Sequence, residues 1–388
     1  LPLVIQDRSF DDDNQLIYLS DSQAAAPTEG SDRRGMMGDG MMGGGMMGGG
    51  MMGGGMMGGG MMGGGMMDRG MGGMGRMMAG MMGMFGDQIL VNGRPDASLE
   101  LAPRPYRLRL LNGSNSRIYK LAWADRSPLT VIGTDGGLLA APLQRDHVML
   151  APAERLDLWV DFGRWPAGTE LTLQSLAFDS GMGGMMGGMM GGMMGGMMGG
   201  MMGGAALPDG APFPVLTVRV QGGPKGQAAP LPQRLSALPR PEPRAAVNAG
   251  SPKVFNLTMG MMTWGINGRG FDMLGASALE TVKLGTQELW EFRNDASAGM
   301  MGMTMPHSMH VHGLQFRVIG RAAAGNSGRS ADSTGLIDEG WKDTVLVMPR
   351  ERVRILLRFA DYPGLFLYHC HMLEHEDSNL MRNYRVTT

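Results

Sequence analysis

The sequence predicts an all-β protein, built as tandem β-sandwiches of Greek-key type with low-complexity loop insertions. Three observations carry that prediction. Short β-rich runs broken by Gly and Pro recur along the chain. No long segment shows the 3.6-residue period of an amphipathic helix. The runs also fall into two groups, separated by a stretch rich in Pro, Gly and Ala.

The first group spans residues 1–221. LPLVIQDRSF reads as a strand already in progress at Leu1. YRLRLLNGSNSRIYKLAW (Tyr106 to Trp123) alternates charged and apolar residues around Asn112-Gly113, a hairpin-turn signal. LTVIGTDGGLL, HVMLAPAERLDLWVDF, TELTLQSLAF and FPVLTVRV follow. Two insertions interrupt this domain, at about 35–86 on an MMGGG repeat and about 181–204 on MMGG. Glycine at that density opposes helix and strand alike, so both are expected to be mobile loops. Residues 222–252 read as an extended linker. The second group, 253–388, holds KVFNLTMG, ETVKLGTQELWEFRND, QFRVIGR, WKDTVLVMPRERVRILLRFA and GLFLYHCH.

Composition narrows the function. The chain has 388 residues, but 66 are Gly and 45 are Met, so the folded part is smaller than the length suggests. Net charge is −2 with no basic run, which gives no electrostatic reason to expect nucleic acid. No apolar run is long enough to span a membrane. The single cysteine excludes an internal disulfide.

That cysteine is the most informative residue. YHCHMLEHEDSNLM (Tyr368 to Met381) sets Cys370 between His369 and His371, with His375 following. HSMHVHG holds His307, His310 and His312. On a strand, His310 and His312 share a face, as do His369 and His371, while Cys370 points to the other side. A thiolate with two imidazoles in trigonal array suits a blue-copper electron-transfer site, with Cys370 and His375 joined by His307. The remaining four imidazoles would face a separate metal site. Zinc takes the same ligand types, but would need neither the HCH alternation nor this many histidines. His147 stands apart and reads as a structural or surface histidine.

These motifs resemble those of the multicopper oxidases. His307-Ser308-Met309-His310-Val311-His312-Gly313 is similar to the family's HPxHxHG, with Ser308 in the proline's place, and His369-Cys370-His371 with His375 to its HCHxxxH. LPLVIQDR, TDGGLL, INGRGFDM and GWKDTV also resemble the copper-tolerance branch, the periplasmic cuprous oxidases. The resemblance implies cupredoxin-like sandwiches, with 1–221 as second domain and 253–388 as third. It places type 1 copper on His307, Cys370 and His375, type 2 copper on His310, and the type 3 pair on His312, His369 and His371. Glu376 matches an acidic position that in this branch helps deliver protons to reduced oxygen, and a surface glutamate is the alternative. A periplasmic or extracellular location is likewise implied.

Three departures qualify it. The family's trinuclear cluster takes further histidines from two HxH motifs in an N-terminal cupredoxin domain, and this chain has no other HxH. The expectation is a fragment of a three-domain enzyme. Leu380 stands at the axial type 1 position, where the copper-tolerance enzymes have methionine; it has no donor atom, which raises the reduction potential. Met381, one residue on, should face the other way on a strand. The Met-rich insert of the last domain is reduced to MGMMTW (Met259 to Trp264), and Met303 occupies a position that is acidic in some members.

Thioethers favour Cu(I) and need lose no proton to bind it. The Met tracts could therefore gather Cu(I), with Met259, Met261 and Met262, and Met300, Met301, Met303 and Met305 beside His307, as candidate substrate ligands. Low-complexity drift and a reversible oxidant sink are the alternatives. The function implied is oxidation of Cu(I), with phenols as further candidate donors, and reduction of oxygen to water in the service of copper tolerance. A laccase-like phenol oxidase and a copper-sequestering module remain the alternatives.

Overall fold

Leu3, Ile5 and Asp7 point inward from Pro2–Arg8 while Val4, Gln6 and Arg8 are more exposed, the period-two pattern of a strand with one buried face. The structure, a computed structural model, describes residues 1–18, 82–180, 207–224, 230–260, 263–295, 305–323 and 335–388. Both Met/Gly insertions lie almost wholly outside these residues. The elements described here belong to one unit, Leu1–Ile17 with Met77–Thr388.

The first domain comprises β1 (Pro2–Arg8), β2 (Gln88–Val91), β3 (Arg94–Pro95), β4 (Ser98–Leu101), β5 (Pro105–Asn112) and β6 (Tyr119–Trp123). It continues with β7 (Leu129–Thr134), β8 (Gly137–Arg145), β9 (Val148–Leu150), β10 (Arg155–Asp161), β11 (Glu170–Ser175) and β12 (Phe213–Val220). One sheet runs β3-β2-β1-β5-β10-β7-β8 and the other β4-β12-β11-β6-β9. Leu108, Leu110, Leu121, Val131, Leu158 and Val218 fill the space between them.

The Asn112-Gly113 pair corrects one expectation. It closes no hairpin: β5 and β6 belong to different sheets, and the chain crosses between layers here. The buried Asn112 amide donates to the carbonyls of Arg117 (2.8 Å) and Leu150 (2.9 Å), tying the crossover in place. Alternation is local and does not say which strand pairs with which.

The linker contacts both domains. The Leu235 N–H donates to Ala140 O at 2.9 Å, and Gln287 Nε2 donates to Glu242 O at 2.9 Å. Beyond it lie β13 (Lys253–Met259), β14 (Trp264–Ile266), β15 (Thr281–Lys283), β16 (Gln287–Arg293), β17 (His307–Val311) and β18 (Phe316–Ala323). Then come β19 (Thr344–Val347), β20 (Glu351–Arg358), β21 (Gly364–Cys370), helix α1 (Leu373–Asp377) and β22 (Met381–Thr387). The sheets are β14-β13-β16-β20-β18 and β15-β22-β21-β17-β19. Phe255, Trp290, Phe292, Val345, Ile355 and Tyr368 form the core between them.

Candidate metal centres

β17 and β21 lie side by side and antiparallel, with Met309 opposite Cys370 and His310 opposite His369. Residues paired across strands point to the same face. This register therefore stacks imidazoles on one face of the sheet and sets the Cys370 sulfur on the other. Gly313 ends the first motif with φ 77°, and a Cβ there would lie 2.7 Å from the Phe366 ring, so the turn requires glycine. Ser308 is fully buried, and its hydroxyl donates to Pro152 O in the first domain at 2.7 Å.

On the core side, Cys370 Sγ lies 3.7 Å from His307 Nδ1 and 3.8 Å from His375 Nδ1, and the two nitrogens are 3.2 Å apart. All three residues are buried. The centre of that triangle lies about 2.1 Å from each donor, within the roughly 2.0–2.3 Å that imidazole nitrogen and thiolate sulfur keep from a zinc-sized ion. Among the described residues no fourth His, Cys, Asp or Glu joins this group. Structural zinc is almost always four-coordinate, whereas a His2Cys trigonal set is the blue-copper arrangement. The donors fit copper.

Burial sets the protonation states. It pushes the Cys370 thiol up to about 12, against weaker opposing hydrogen bonds from the Met372 and Ser308 backbone. It drives His307 well below its ordinary value, and nearby His375 adds to that shift. The His307 imidazole is thus in its ligating form, and the thiol gives up its proton only to a metal.

Leu380 is fully buried in the same core as Cys370, whose N–H donates to Leu380 O at 2.9 Å. Met381 pairs with His369 and so lies on the imidazole face. Met259 and Met305 are buried in the second core. Met261, Met262, Met300, Met301 and Met303 lie outside the described residues.

On the opposite face, His310, His312 and His369 bring ring nitrogens within 4.8 Å of one another. His312 Nε2 and His369 Nε2 face each other at 2.9 Å. The His371 ring adjoins them, 5.4 Å from His369 and 5.7 Å from His310 between centroids. Burial, reinforced by His310 and His369, lowers His312 to about 4. His310 Nδ1–H donates to Asp343 O at 2.8 Å, which turns Nε2 toward the cluster. His369 Nδ1 has Cys370 O at 3.0 Å and Glu376 Oε2 at 3.1 Å. Glu376 therefore touches a cluster imidazole.

Sequence reasoning missed the groups that brace this face. Asp343 forms a two-pronged pair with Arg155 of the first domain, at 2.8 and 2.5 Å. Buried Lys342 bridges Asp135 (3.2 Å) and Glu154 (3.1 Å), also in the first domain. Glu374 of α1 accepts from Asn115 Nδ2 (2.9 Å) and Ser116 Oγ (2.7 Å). Lys342 and Asp343 lie within GWKDTV, a resemblance that carried no role for them.

A sandwich that gathers one thiolate and two imidazoles on one side of a strand, and further imidazoles on its reverse, defines a copper protein of the cupredoxin class. Residues 246–388 match the multicopper oxidase family model. Bilirubin oxidase of Albifimbria verrucaria is 30% identical over 309 residues, covering 78% of this chain and 48% of that protein. Laccase of Bacillus subtilis is 29% identical over 318 residues, covering 78% and 55%. The crystal structure of McoA multicopper oxidase from the hyperthermophile Aquifex aeolicus aligns with TM-score 0.68 at 28% identity, covering 100% of this chain and 66% of that one. The chain belongs to the multicopper oxidases, and copper is its cofactor. It spans about half the length of the curated relatives it matches.

Proposed function

We propose that the whole protein is an oxidase that takes electrons one at a time from Cu(I) and reduces oxygen to water, serving copper tolerance in the periplasm or outside the cell. One observation carries this reading: at the end of β21 the Cys370 sulfur lies on one face and the His369 imidazole, with the His371 ring beside it, on the other. In it His307, Cys370 and His375 hold type 1 copper, His310 type 2, and His312, His369 and His371 the type 3 pair. Copper bound there would supply one-electron transfer on the sulfur side and oxygen reduction on the imidazole side. Cys370 joins the two sides through its own main chain, and the His369 Nδ1 contact with Cys370 O shortens the route. Burial of His307, Cys370 and His375 keeps water from the electron-entry site. Glu376, in contact with His369 Nδ1 and partly exposed, carries protons inward. Further imidazoles complete the cluster from an N-terminal cupredoxin domain, and the Met/Gly tracts collect Cu(I).

A second reading, a laccase-like phenol oxidase, is favoured by Leu380, a side chain without a donor atom beside Cys370. Oxygen uptake by the full-length protein decides between them: higher catalytic efficiency with Cu(I) than with a phenol supports the first. Unchanged Cu(I) turnover after deletion of both tracts and of residues 300–305 would remove the capture role. No helix among the described residues is long and apolar enough to cross a membrane.

The axial assignment has its own test. Leu380→Met should lower the type 1 potential, because a thioether stabilises Cu(II); each tenfold preference gained is about 59 mV. An unchanged midpoint on potentiometric titration would mean that residue 380 is not axial.

A further inference from the structure

The two imidazole groups are held in place by different means. His310 is anchored at Nδ1 by Asp343 O and Thr344 Oγ1, and His369 at Nδ1 by Cys370 O and Glu376. His307 has no equivalent. Its Nδ1 faces the sulfur, and its Nε2 is buried without a hydrogen-bond partner among the described residues. The χ2 torsion of histidine is broad and roughly two-fold, so a ligand ring lacking that anchor needs something else to fix it.

Trp264 is placed to do so. Its ring lies 4.8 Å from the His307 ring at 82° and 4.7 Å from the His375 ring at 42°, while the two imidazoles are 5.0 Å apart. One indole thus packs against both nitrogen ligands. Trp264 is itself fixed: it is 5% exposed, pairs with Met259 across β13 and β14, and donates its backbone N–H to Ser378 O at 2.9 Å. Ser378 directly follows α1, the helix that carries His375.

We propose that Trp264 is a positioning residue that packs against both imidazoles and holds His307 in its ligating orientation by ring contact, where a metal-bound histidine ordinarily uses a hydrogen bond. Among the described residues the remote nitrogen of His307 also has no acceptor. An acceptor there would make the imidazole more basic and a better donor to Cu(II). Trp264, packed there in place of an acceptor, therefore favours Cu(I) and raises the potential of the site. This inference rests on the copper reading of the Cys370 group.

The test uses the full chain loaded with copper and compares wild type with Trp264→Leu, Trp264→Phe and Trp264→Gln. Copper affinity is read by chelator competition, ligand geometry by EPR, and potential by anaerobic titration. Trp264→Leu, similar in character but without a ring, should weaken copper binding about 10- to 100-fold and alter the EPR signal. Trp264→Phe should restore most of both. Trp264→Gln, which offers His307 an acceptor, should lower the potential. Trp264→Leu with wild-type affinity and EPR signal would overturn the positioning role. If that variant does not fold by circular dichroism, an unchanged potential in folded Trp264→Gln overturns the proposal instead. Failure of the underlying copper reading is separately visible, as wild-type protein that never turns blue.

Discussion

Replacing Cys370 with serine should abolish the intense blue absorption of the copper-loaded protein. The three donor atoms stand at 3.2–3.8 Å separations in a fully buried pocket, so the substitution removes one donor from a set that the fold holds together. The colour depends on a soft thiolate bonded to copper, and a serine hydroxyl is a hard, protonated donor of little value to Cu(I). The substitution changes volume little, so the sandwich should persist by circular dichroism while the spectrum disappears. The imidazole face lacks the cysteine and should keep its own ions in the whole protein, which metal analysis would count. Retention of the blue band in Cys370→Ser would refute the assignment. Zinc alone in protein matured with ample copper would refute it as completely.

Those candidate donors are legible in the sequence because their chemistry is written at short range. HCH sets the cysteine and its flanking histidines on opposite faces at the end of β21, and HxH puts both of its histidines on the imidazole face beside it, so period-two geometry separates sulfur from imidazoles. The all-β class was legible for the same reason, since alternation and turn residues are local. What was hidden depends on distant parts of the chain meeting. Trp264 reads as a strand aromatic until folding lays it over His307 and His375. Glu374 looks like a surface residue until Asn115 and Ser116 reach it from another domain. Asn112-Gly113 shows the opposite failure: a strong local turn signal was overruled by the layer to which each flanking strand belongs.

Lys342→Met should destabilise the protein by about 3–5 kcal/mol, the usual cost of removing one partner from a buried charge pair. Lys342 is 1% exposed, and its ammonium sits between Asp135 and Glu154 of the first domain. Burial alone would lower its pKa, but those two carboxylates raise it, so the charge is retained. Methionine fills much the same space yet takes the cation from Glu154 and leaves Asp135 only the Arg155 guanidinium, 3.7 Å away. The loss extends beyond one contact. Asp135 also accepts from the Arg155 backbone N–H (2.8 Å) and from the Asp343 (3.3 Å) and Thr344 (3.4 Å) N–H groups. Asp343 in turn fixes His310 through its carbonyl. The domain interface and the orientation of a cluster imidazole therefore share one network. Urea unfolding should show a lower midpoint for Lys342→Met, with part of the loss recovered in Lys342→Met/Glu154→Gln, where one stranded charge is removed. A single variant as stable as wild type would mean that the ammonium contributes nothing to joining the two domains.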